Sequence, residues 1–367
     1  MSAPAPRPGI MDVRPYVGGE SALEGVSRVI KLSSNEGALG PSPKAMEALA
    51  ALAPEIHRYP DGGATELRAA IAARFGFAAD RIVCGAGSDE LLGLLCRAYA
   101  GPGDEVLQSE HGFLMYAIAA KVSGATPVKA AEVDLTASVD NLLAAVTPRT
   151  KIVYLANPNN PTGTYLPKDE VARLRAGLPD HVLLVIDAAY SEFVSAEDYS
   201  CGKELVEAGE NTVVCRTFSK IYALGGLRLG WAYCPDSIAD VLNRVRGPFN
   251  VSSSALIAGL AAFNDTEHYA RAKSHNEAWR SWLADRLTEL GLTVVPSVAN
   301  FLLVHFPHEA GRDAAAADAY LRRNGIIVRA MASYGLPDSL RITIGNAEET
   351  QAVAETLATF LAGEAEG

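Results

Sequence analysis

Three short runs of this sequence are almost continuously apolar at their starts and turn polar at their ends: KIVYLANPNNPTG, HVLLVIDAAY and NTVVCRTFSK. Strands that are buried on both faces show this pattern, because neither face meets water. Segments with helical spacing lie before and between these runs, among them PKAMEALAALA, ATELRAAIAARFG, SDELLGLLCRAYA and KDEVARLRAGL. The alternation predicts an α/β fold with a mainly parallel sheet and helices on both of its faces.

The pattern changes after about residue 270. A long helical segment, TEHYARAKSHNEAWRSWLADRLTELG, precedes the strand-like runs TVVPS, NFLLVHF, GIIVRAM and SLRITIG, and an alanine-rich helix follows them. We therefore predict a large domain over residues 42–270 and a smaller α+β domain over residues 271–367. Residues 1–41 are rich in Pro, Gly and Ser, and we predict an N-terminal arm that packs with the small domain.

Composition and charge exclude several classes of protein. The net charge of −11 argues against a nucleic-acid backbone as partner. The five cysteines are scattered without CxxC spacing, which favours a reducing compartment and argues against a metal site. The N-terminal MSAPAPRPGI lacks the apolar stretch of a signal peptide, and no apolar run reaches the roughly 18 residues of a membrane span. We expect a cytoplasmic protein that acts on small molecules.

A polar residue follows each of the three central runs: Asn160 the first, Asp187 the second and Lys220 the third. Taken singly, these residues have ordinary explanations as a turn, a helix cap and a solvated charge. In open α/β sheets, however, ligands bind outside the carboxyl ends of the strands. Their recurrence at equivalent positions predicts one site that contains an amide, a carboxylate and an amine.

These three groups together suit one cofactor. A lysine can form a Schiff base with a carbonyl, and pyridoxal phosphate (PLP) presents a carbonyl, a ring nitrogen and a phosphate. A carboxylate such as Asp187 would keep the ring nitrogen protonated, because a nearby opposite charge favours the charged form. The protonated ring is then an electron sink. Asn160 and Tyr190 are suited to hold the ring hydroxyl.

The stretch GAGSDE between a strand and a helix is suited to the phosphate, since backbone N–H groups at a helix start bind anions. Ser88 and Asp89 lie in that first helical turn, and Ser219 and Arg228 add a hydroxyl and a planar guanidinium. A nicotinamide dehydrogenase is the alternative for the same glycines. Its fingerprint requires a third glycine where this chain has Glu90.

The motifs NPNNPTG, VIDAAY, SKIYALGGLRLGW and SLRITIG resemble those of the fold-type-I PLP enzymes, and within them the class I/II aminotransferases. The stretches KLSSNEGALGPSP, HRYPDGGATELRAAIA, GAGSDELL and GIIVRAMASYGLPDSLRITIG are similar to the histidinol-phosphate branch of that family. The resemblance covers nearly the whole chain. It implies amino-group transfer between histidinol phosphate and 2-oxoglutarate, the keto acid of glutamate.

Two other functions are alternatives to this expectation. A broad-specificity aromatic amino-acid aminotransferase is the nearest alternative, because its apolar ring pocket would be much the same. A PLP-sensing transcription regulator would need an N-terminal DNA-binding domain, which an arm of about forty Pro- and Gly-rich residues cannot form.

The resemblance also implies a role for each site residue. Lys220 would carry the cofactor and Asp187 would pair with the pyridine nitrogen. The other implied contacts are Asn160 and Tyr190 at the ring hydroxyl, Ser88, Asp89, Ser219 and Arg228 at the phosphate, Phe113 on the ring face, Arg341 at the substrate carboxylate, and Arg329, Asn35 and Tyr16 along the substrate side. Tyr59 would reach the phosphate of a neighbouring subunit, which implies a homodimer with shared active sites.

Two positions depart from the family pattern. Ala188 follows the ring-pairing aspartate where many members have an acidic residue, and His111 and Gly112 precede the aromatic residue where Pro-Thr is usual. We predict no catalytic role for His111, because Lys220 can itself move the proton. Both departures bear on the substrate subgroup more than on the cofactor.

Overall fold

The computed structural model of the protein describes residues 4–363 except positions 14, 16, 17, 19, 26 and 27. Its α-helices, in chain order, are α1 (Pro43–Leu52), α2 (Thr65–Phe75), α3 (Ser88–Tyr99), α4 (Leu114–Ser123), α5 (Val139–Ala144), α6 (Lys168–Gly177), α7 (Lys203–Ala208), α8 (Asp236–Val245), α9 (Ser253–Asn264), α10 (Thr266–Glu289), α11 (Ala314–Arg323) and α12 (Ala347–Ala362). Its strands are β1 (Ile30–Lys31), β2 (Ile82–Gly85), β3 (Glu105–Ser109), β4 (Thr126–Ala130), β5 (Glu132–Val133), β6 (Thr136–Ala137), β7 (Thr150–Ala156), β8 (Leu183–Asp187), β9 (Thr212–Thr217), β10 (Gly230–Tyr233), β11 (Thr293–Val294), β12 (Phe301–His305), β13 (Ile326–Ile327), β14 (Arg329–Ala330) and β15 (Ser339–Thr343).

Seven strands form the large sheet, in the order β2-β10-β9-β8-β7-β3-β4. The five strands from β9 to β4 in this order pair in parallel, whereas β10 runs antiparallel to both β9 and β2. The three apolar runs of the sequence are β7, β8 and β9, which lie side by side near its centre. The predicted fold class, a mainly parallel α/β sheet, is therefore confirmed, with β10 as the antiparallel exception.

The large sheet separates two apolar cores. On β8, Leu184 and Ile186 pack into one core with residues of α2, α6 and α9. Leu183 and Val185 point to the opposite core, which contains residues of α3, α4 and α8. Successive side chains of a strand point to opposite faces, so a strand covered on both faces is apolar at every position.

The C-terminal part of the chain forms the small sheet, an antiparallel sheet in the order β11-β12-β15-β14. Its core includes residues of α10, α11 and α12, which are the predicted long helix, a short helix and the alanine-rich final helix. Asn346 begins α12 with a capping box, in which its side chain accepts from the Glu349 N–H and the Glu349 carboxylate accepts from the Asn346 N–H.

The described residues before Ser42 contact elements beside the large sheet and elements beside the small sheet. Arg7 donates to the Val122 carbonyl at the end of α4, and β1 pairs in parallel with β13 beside the small sheet. Glu20 pairs with Arg322 of α11. Among the residues described, no helix combines the length and apolarity that crossing a membrane requires.

Candidate active site

A cavity of about 340 Å³ opens at the carboxyl ends of β7, β8 and β9, between the large sheet and the small sheet. Asn160, Asp187 and Lys220 all line it, as their positions after the three strands predict. Arg329 on β14 and Arg341 on β15 line it from the small sheet. One cavity thus joins an amide, a carboxylate, an amine and two guanidinium groups.

Asp187 is the last residue of β8 and is only 6% exposed. The Tyr116 hydroxyl donates to its Oδ2 atom over 2.7 Å, but no described residue donates a hydrogen bond to its buried Oδ1 atom. Burial raises the pKa of Asp187 to about 6, the Tyr116 hydrogen bond lowers it, and the charge of Asp89 raises it. A buried carboxylate oxygen without a donor is costly, so this atom fits a cationic N–H donor from a ligand.

Lys220 lies in the loop after β9, and its apolar neighbours Phe218, Ile221 and Leu224 are buried in the core. Its own side chain turns toward the cavity, where Nζ donates to the Ser34 carbonyl over 3.2 Å. Nζ also lies 5.6 Å from the centre of the Tyr190 ring. The apolar residues around this lysine therefore anchor the loop in the core, and the amine lies at the cavity.

Tyr190 and Asn35 form a buried hydrogen-bonded pair at the cavity wall. The Asn35 side-chain amide donates to the Tyr190 hydroxyl over 2.9 Å. Asn35 has left-handed backbone (φ 57°), and Thr343 of β15 both accepts from its N–H and donates to its Oδ1, each over 3.0 Å. Burial raises the pKa of Tyr190 to about 12, although Arg341 and the Asn35 hydrogen bond lower it. The phenol therefore stays protonated near neutral pH.

Arg341 is a buried cation, 6% exposed, in the middle of β15. Its Nη2 atom donates to the Ser33 carbonyl over 2.8 Å and its Nη1 atom donates to Asn160 Oδ1. Its Nε atom is buried without a hydrogen-bond partner among the described residues. Arg329 is directly opposite Arg341 in the β14/β15 register, so the two side chains point to the same face. An anionic ligand would supply the charge that the carbonyl and amide partners lack.

The start of α3 and the loop before β10 form the other end of the cavity. Ser88 is the first residue of α3, and Arg228 contacts both Asp89 (3.1 Å to Oδ2) and Ser219 (3.3 Å to Oγ). A Cβ atom at Gly230 would lie 2.3 Å from the Ser88 backbone nitrogen, so only glycine permits this approach. Helix N–H groups, two hydroxyls and a guanidinium together suit a phosphate.

The remaining predicted site residues are Phe113, Tyr59 and Tyr16. Phe113 lines the cavity just before α4, and its ring meets that of Tyr116 edge-on with the ring centres 5.8 Å apart. Tyr59 is 82% exposed, lies outside the cavity of its own chain and stacks on Phe249. Tyr16 falls outside the described residues.

Some residues of the site have little or no signal in the sequence. Tyr116 is the buried donor to Asp187, and its only signal in the sequence is helical spacing, three residues beyond Phe113. Ser33 and Ser34 contribute backbone carbonyl oxygens, which no side-chain pattern reveals. Thr217 donates to Ser219 Oγ over 3.0 Å, and Tyr334 completes the wall from the small-sheet side.

Comparison with known proteins defines the class to which this fold and site correspond. Residues 27–357 match the family model of class I and II aminotransferases, and the chain belongs to that family. The predicted family is thus confirmed, and the protein is an enzyme.

The names of individual similar proteins also specify a substrate, which the family model does not. The histidinol-phosphate aminotransferase of Paramagnetospirillum magneticum is 76% identical over 361 residues, which cover 98% of this chain and 99% of that protein. That of Rhodospirillum centenum is 59% identical over 363 residues, covering 99% of this chain and 100% of its own length. The crystal structure of histidinol-phosphate aminotransferase from Sinorhizobium meliloti in complex with pyridoxal 5'-phosphate has a TM-score of 0.88 at 28% identity, covering 99% of this chain and 100% of that one.

Proposed function

We propose that this aminotransferase moves an amino group between histidinol phosphate and 2-oxoglutarate with PLP as its cofactor. One observation carries the proposal: Lys220 and Asp187 line the same cavity, together with Arg329 and Arg341. Asp187 is buried, and its Oδ1 atom has no hydrogen-bond partner among the described residues. The names of the relatives, at 76% and 59% identity over essentially the full chain, support histidinol phosphate over the alternative of an aromatic amino acid.

The residues of the cavity fit PLP. Asp187 Oδ1 would accept from the ring nitrogen, Asn160 and Tyr190 would contact the ring hydroxyl, and Phe113 would cover one face of the ring. The phosphate would bind at the start of α3 with Ser88, Asp89, Ser219 and Arg228 around it. When bound, PLP supplies a carbonyl for covalent attachment and an electron sink for the carbon that loses a proton.

Lys220 is the group that moves the proton. When neutral, its Nζ would accept a proton from the substrate carbon that carries the amino group. The Ser34 carbonyl, 3.2 Å from Nζ, keeps the amine at the cavity wall. Asp187 would be ionised beside a cationic partner, because a nearby opposite charge favours the charged form.

Arg341 and Arg329 would bind the anionic groups of the two substrates. Histidinol phosphate brings a phosphate and 2-oxoglutarate brings two carboxylates, and a planar guanidinium forms paired hydrogen bonds with both kinds of anion. Asn35 lines the same side of the cavity and holds Tyr190. Tyr16, which lies outside the described residues, is proposed as a further substrate contact.

The proposal is tested by the half reaction of purified protein with histidinol phosphate, phenylalanine and tyrosine. Arg329→Ala should slow histidinol phosphate more than phenylalanine, because only the former brings a phosphate. A lost charge-assisted contact is worth about 1.5–3 kcal/mol, or about ten- to a hundred-fold in the ratio of kcat/KM values.

Arg286→Ala is the matched control, since Arg286 is an exposed arginine of α10 that pairs with Glu289. It should leave the ratio unchanged. Equal losses for both substrates in Arg329→Ala would contradict the phosphate role, and a wild-type enzyme that prefers phenylalanine would overturn the proposed substrate.

We also propose that the enzyme is a cytoplasmic homodimer with shared active sites. Tyr59, Phe249 and Ile257 form an exposed apolar patch: Tyr59 stacks on Phe249, and Tyr59 and Ile257 line a groove of about 500 Å³. A second copy of the chain would cover this patch and receive Tyr59 at its phosphate site.

The five cysteines of the chain are free thiols, which supports the proposed cytoplasmic location, a reducing compartment. The division into an arm (1–41), a large domain (42–270) and a small domain (271–367) remains part of the proposal.

A further inference from the structure

His111 lies behind the cavity and pairs with a buried carboxylate. Its Nδ1 atom is 2.8 Å from Glu132 Oε2, and its backbone N–H donates to Glu132 Oε1 over 3.2 Å. The two side chains are only 11% and 2% exposed. Both oxygens of the carboxylate are therefore engaged by one residue, which fixes the backbone and the ring of His111 together.

This contact joins two segments on the large-sheet side. His111 belongs to a turn over residues 109–112, closed by a hydrogen bond from the Gly112 N–H to the Ser109 carbonyl over 3.1 Å. Phe113 and α4 follow that turn directly. Glu132 belongs to the β5/β6 hairpin. The His111/Glu132 pair thus holds the turn from which Phe113 and the first turn of α4, with Tyr116, continue.

The other ring nitrogen of His111 faces the small-sheet side. A Cβ atom at Gly335 would lie 3.9 Å from His111 Nε2, and Gly335 follows Tyr334, which lines the cavity. An apolar cluster crosses the same boundary. Leu114 and Leu135 pack against its buried members, which are Val295, Leu303, Met331 and Tyr334. The turn is thus seated against the wall that the small-sheet side contributes to the cavity.

We propose that His111 is a positioning residue for the amino-transfer reaction, acting through its contact with Glu132. It holds Phe113 and Tyr116 on one side and abuts the segment of Tyr334 on the other, while it does not itself line the cavity. The Nδ1–H group donates to the carboxylate whether the ring is neutral or protonated, so the contact does not depend on the charge of the ring. This inference rests on the proposed function, since Phe113 and Tyr116 are placed for a bound PLP ring.

The test compares His111→Ala with His111→Asn, whose side-chain N–H lies at nearly the place of Nδ1. Two readouts need no substrate: the dissociation constant of PLP from fluorescence quenching, and the visible circular dichroism of the bound cofactor. The Ala variant should weaken PLP binding about ten-fold, the size expected for a lost hydrogen bond to a charged group, and should reduce the dichroism. The Asn variant should restore most of both.

His308→Ala is the matched control, because His308 also pairs with a carboxylate, Asp338, but is 83% exposed. It should leave both readouts at the wild-type values. If His111→Ala does not fold, Glu132→Gln replaces it. A glutamine amide has only one oxygen, so it cannot accept from both the ring and the backbone N–H of His111 as the Glu132 carboxylate does. PLP binding and dichroism should then fall as expected for His111→Ala.

The inference is overturned if the Ala variant, or the Gln variant in its place, keeps wild-type PLP binding and dichroism. It is also overturned if Ala and Asn variants of equal melting temperature behave alike. The proposed function has a separate test, in the wild-type protein. It is contradicted if that protein does not bind PLP, or if it binds PLP but does not convert histidinol phosphate, whatever the variants show.

Discussion

Asp187 shows how burial prepares a single residue for its partner. Its carboxyl group has a pKa raised from 3.8 to about 6, because burial disfavours the charge and Tyr116 and Lys220 offset this only in part. The sequence predicted a carboxylate at the end of this strand, but it contains no measure of how far the carboxylate is desolvated. A carboxylate that is costly without its ligand is well suited to bind a cationic ring, since binding relieves the cost.

This raised pKa predicts how stability depends on pH in the cofactor-free protein. Between pH 3.8 and about 6 the folded state holds more protons on Asp187 than the unfolded state does. The contribution of Asp187 to the free energy of unfolding therefore falls as pH rises through this window, and it levels above it. Asp187→Asn cannot titrate, so its stability relative to the wild type should rise between pH 3.8 and about pH 6 and then level off.

Urea unfolding of both cofactor-free proteins at several pH values measures this difference. Asp180→Asn, which makes the same substitution at an exposed aspartate, is the control. Parallel curves for Asp187→Asn and the wild type would show that the carboxyl group titrates normally in the folded protein.

At the scale of elements, the contact between β10 and the start of α3 shapes the end of the cavity proposed to bind the phosphate. Gly230 of β10 is paired with Gly85 of β2, and it faces the backbone of Gly87 and Ser88. The helix start was predicted from GAGSDE, whereas the strand that approaches it was not, because β10 is antiparallel and short.

Gly230→Ala should disturb this contact specifically. The new Cβ atom would lie 2.3 Å from the Ser88 nitrogen and 2.6 Å from the Gly87 carbonyl carbon, and backbone atoms cannot move aside cheaply. We expect a loss of about 1–3 kcal/mol in the free energy of unfolding, the usual cost of overpacking, together with weaker PLP binding. Thermal unfolding and PLP titration measure the two effects.

Gly93→Ala provides the control within α3, since nothing lies within 4 Å of a Cβ atom at that position. It should be neutral or should stabilise the helix by about 1 kcal/mol or less. If Gly230→Ala is as harmless as Gly93→Ala, the close approach of β10 does not constrain the site.

At the scale of the whole molecule, the position of Tyr59 makes the assembly testable. This residue is 82% exposed and outside the cavity of its own chain, so a role at the phosphate requires a second copy. Mixing a Lys220→Ala chain with a Tyr59→Ala chain should restore activity, because each mixed dimer has one site with both residues intact. Random pairing of equal amounts gives about a quarter of all sites intact.

The activity of the mixture is compared with that of each variant alone, at a PLP concentration that limits the Tyr59→Ala chain. Size-exclusion chromatography with light scattering gives the mass of the particles in the same samples. A monomer, or a dimer whose mixture is no more active than its parents, would contradict the shared site.

The sequence by itself determined the features that depend on local periodicity. Continuous apolar runs identified β7, β8 and β9, because a strand covered on both faces must be apolar at every position. Parallel strands share one carboxyl edge, so the positions of Asn160, Asp187 and Lys220 along the chain were enough to bring them into one cavity. The family resemblance then added Arg329 and Arg341 from the small-sheet side.

Only the tertiary structure decided which partners these residues have. Asn35 meets Thr343 across 308 positions of sequence, and Tyr116 meets Asp187 across 71. The carbonyl groups of Ser33 and Ser34 reach Arg341 and Lys220 in the same way. Periodicity records whether a side chain is buried, but not which distant segment buries it. That choice depends on how the two sheets pack against each other, and it sets the hydrogen bonds and the desolvation that give each group its chemistry.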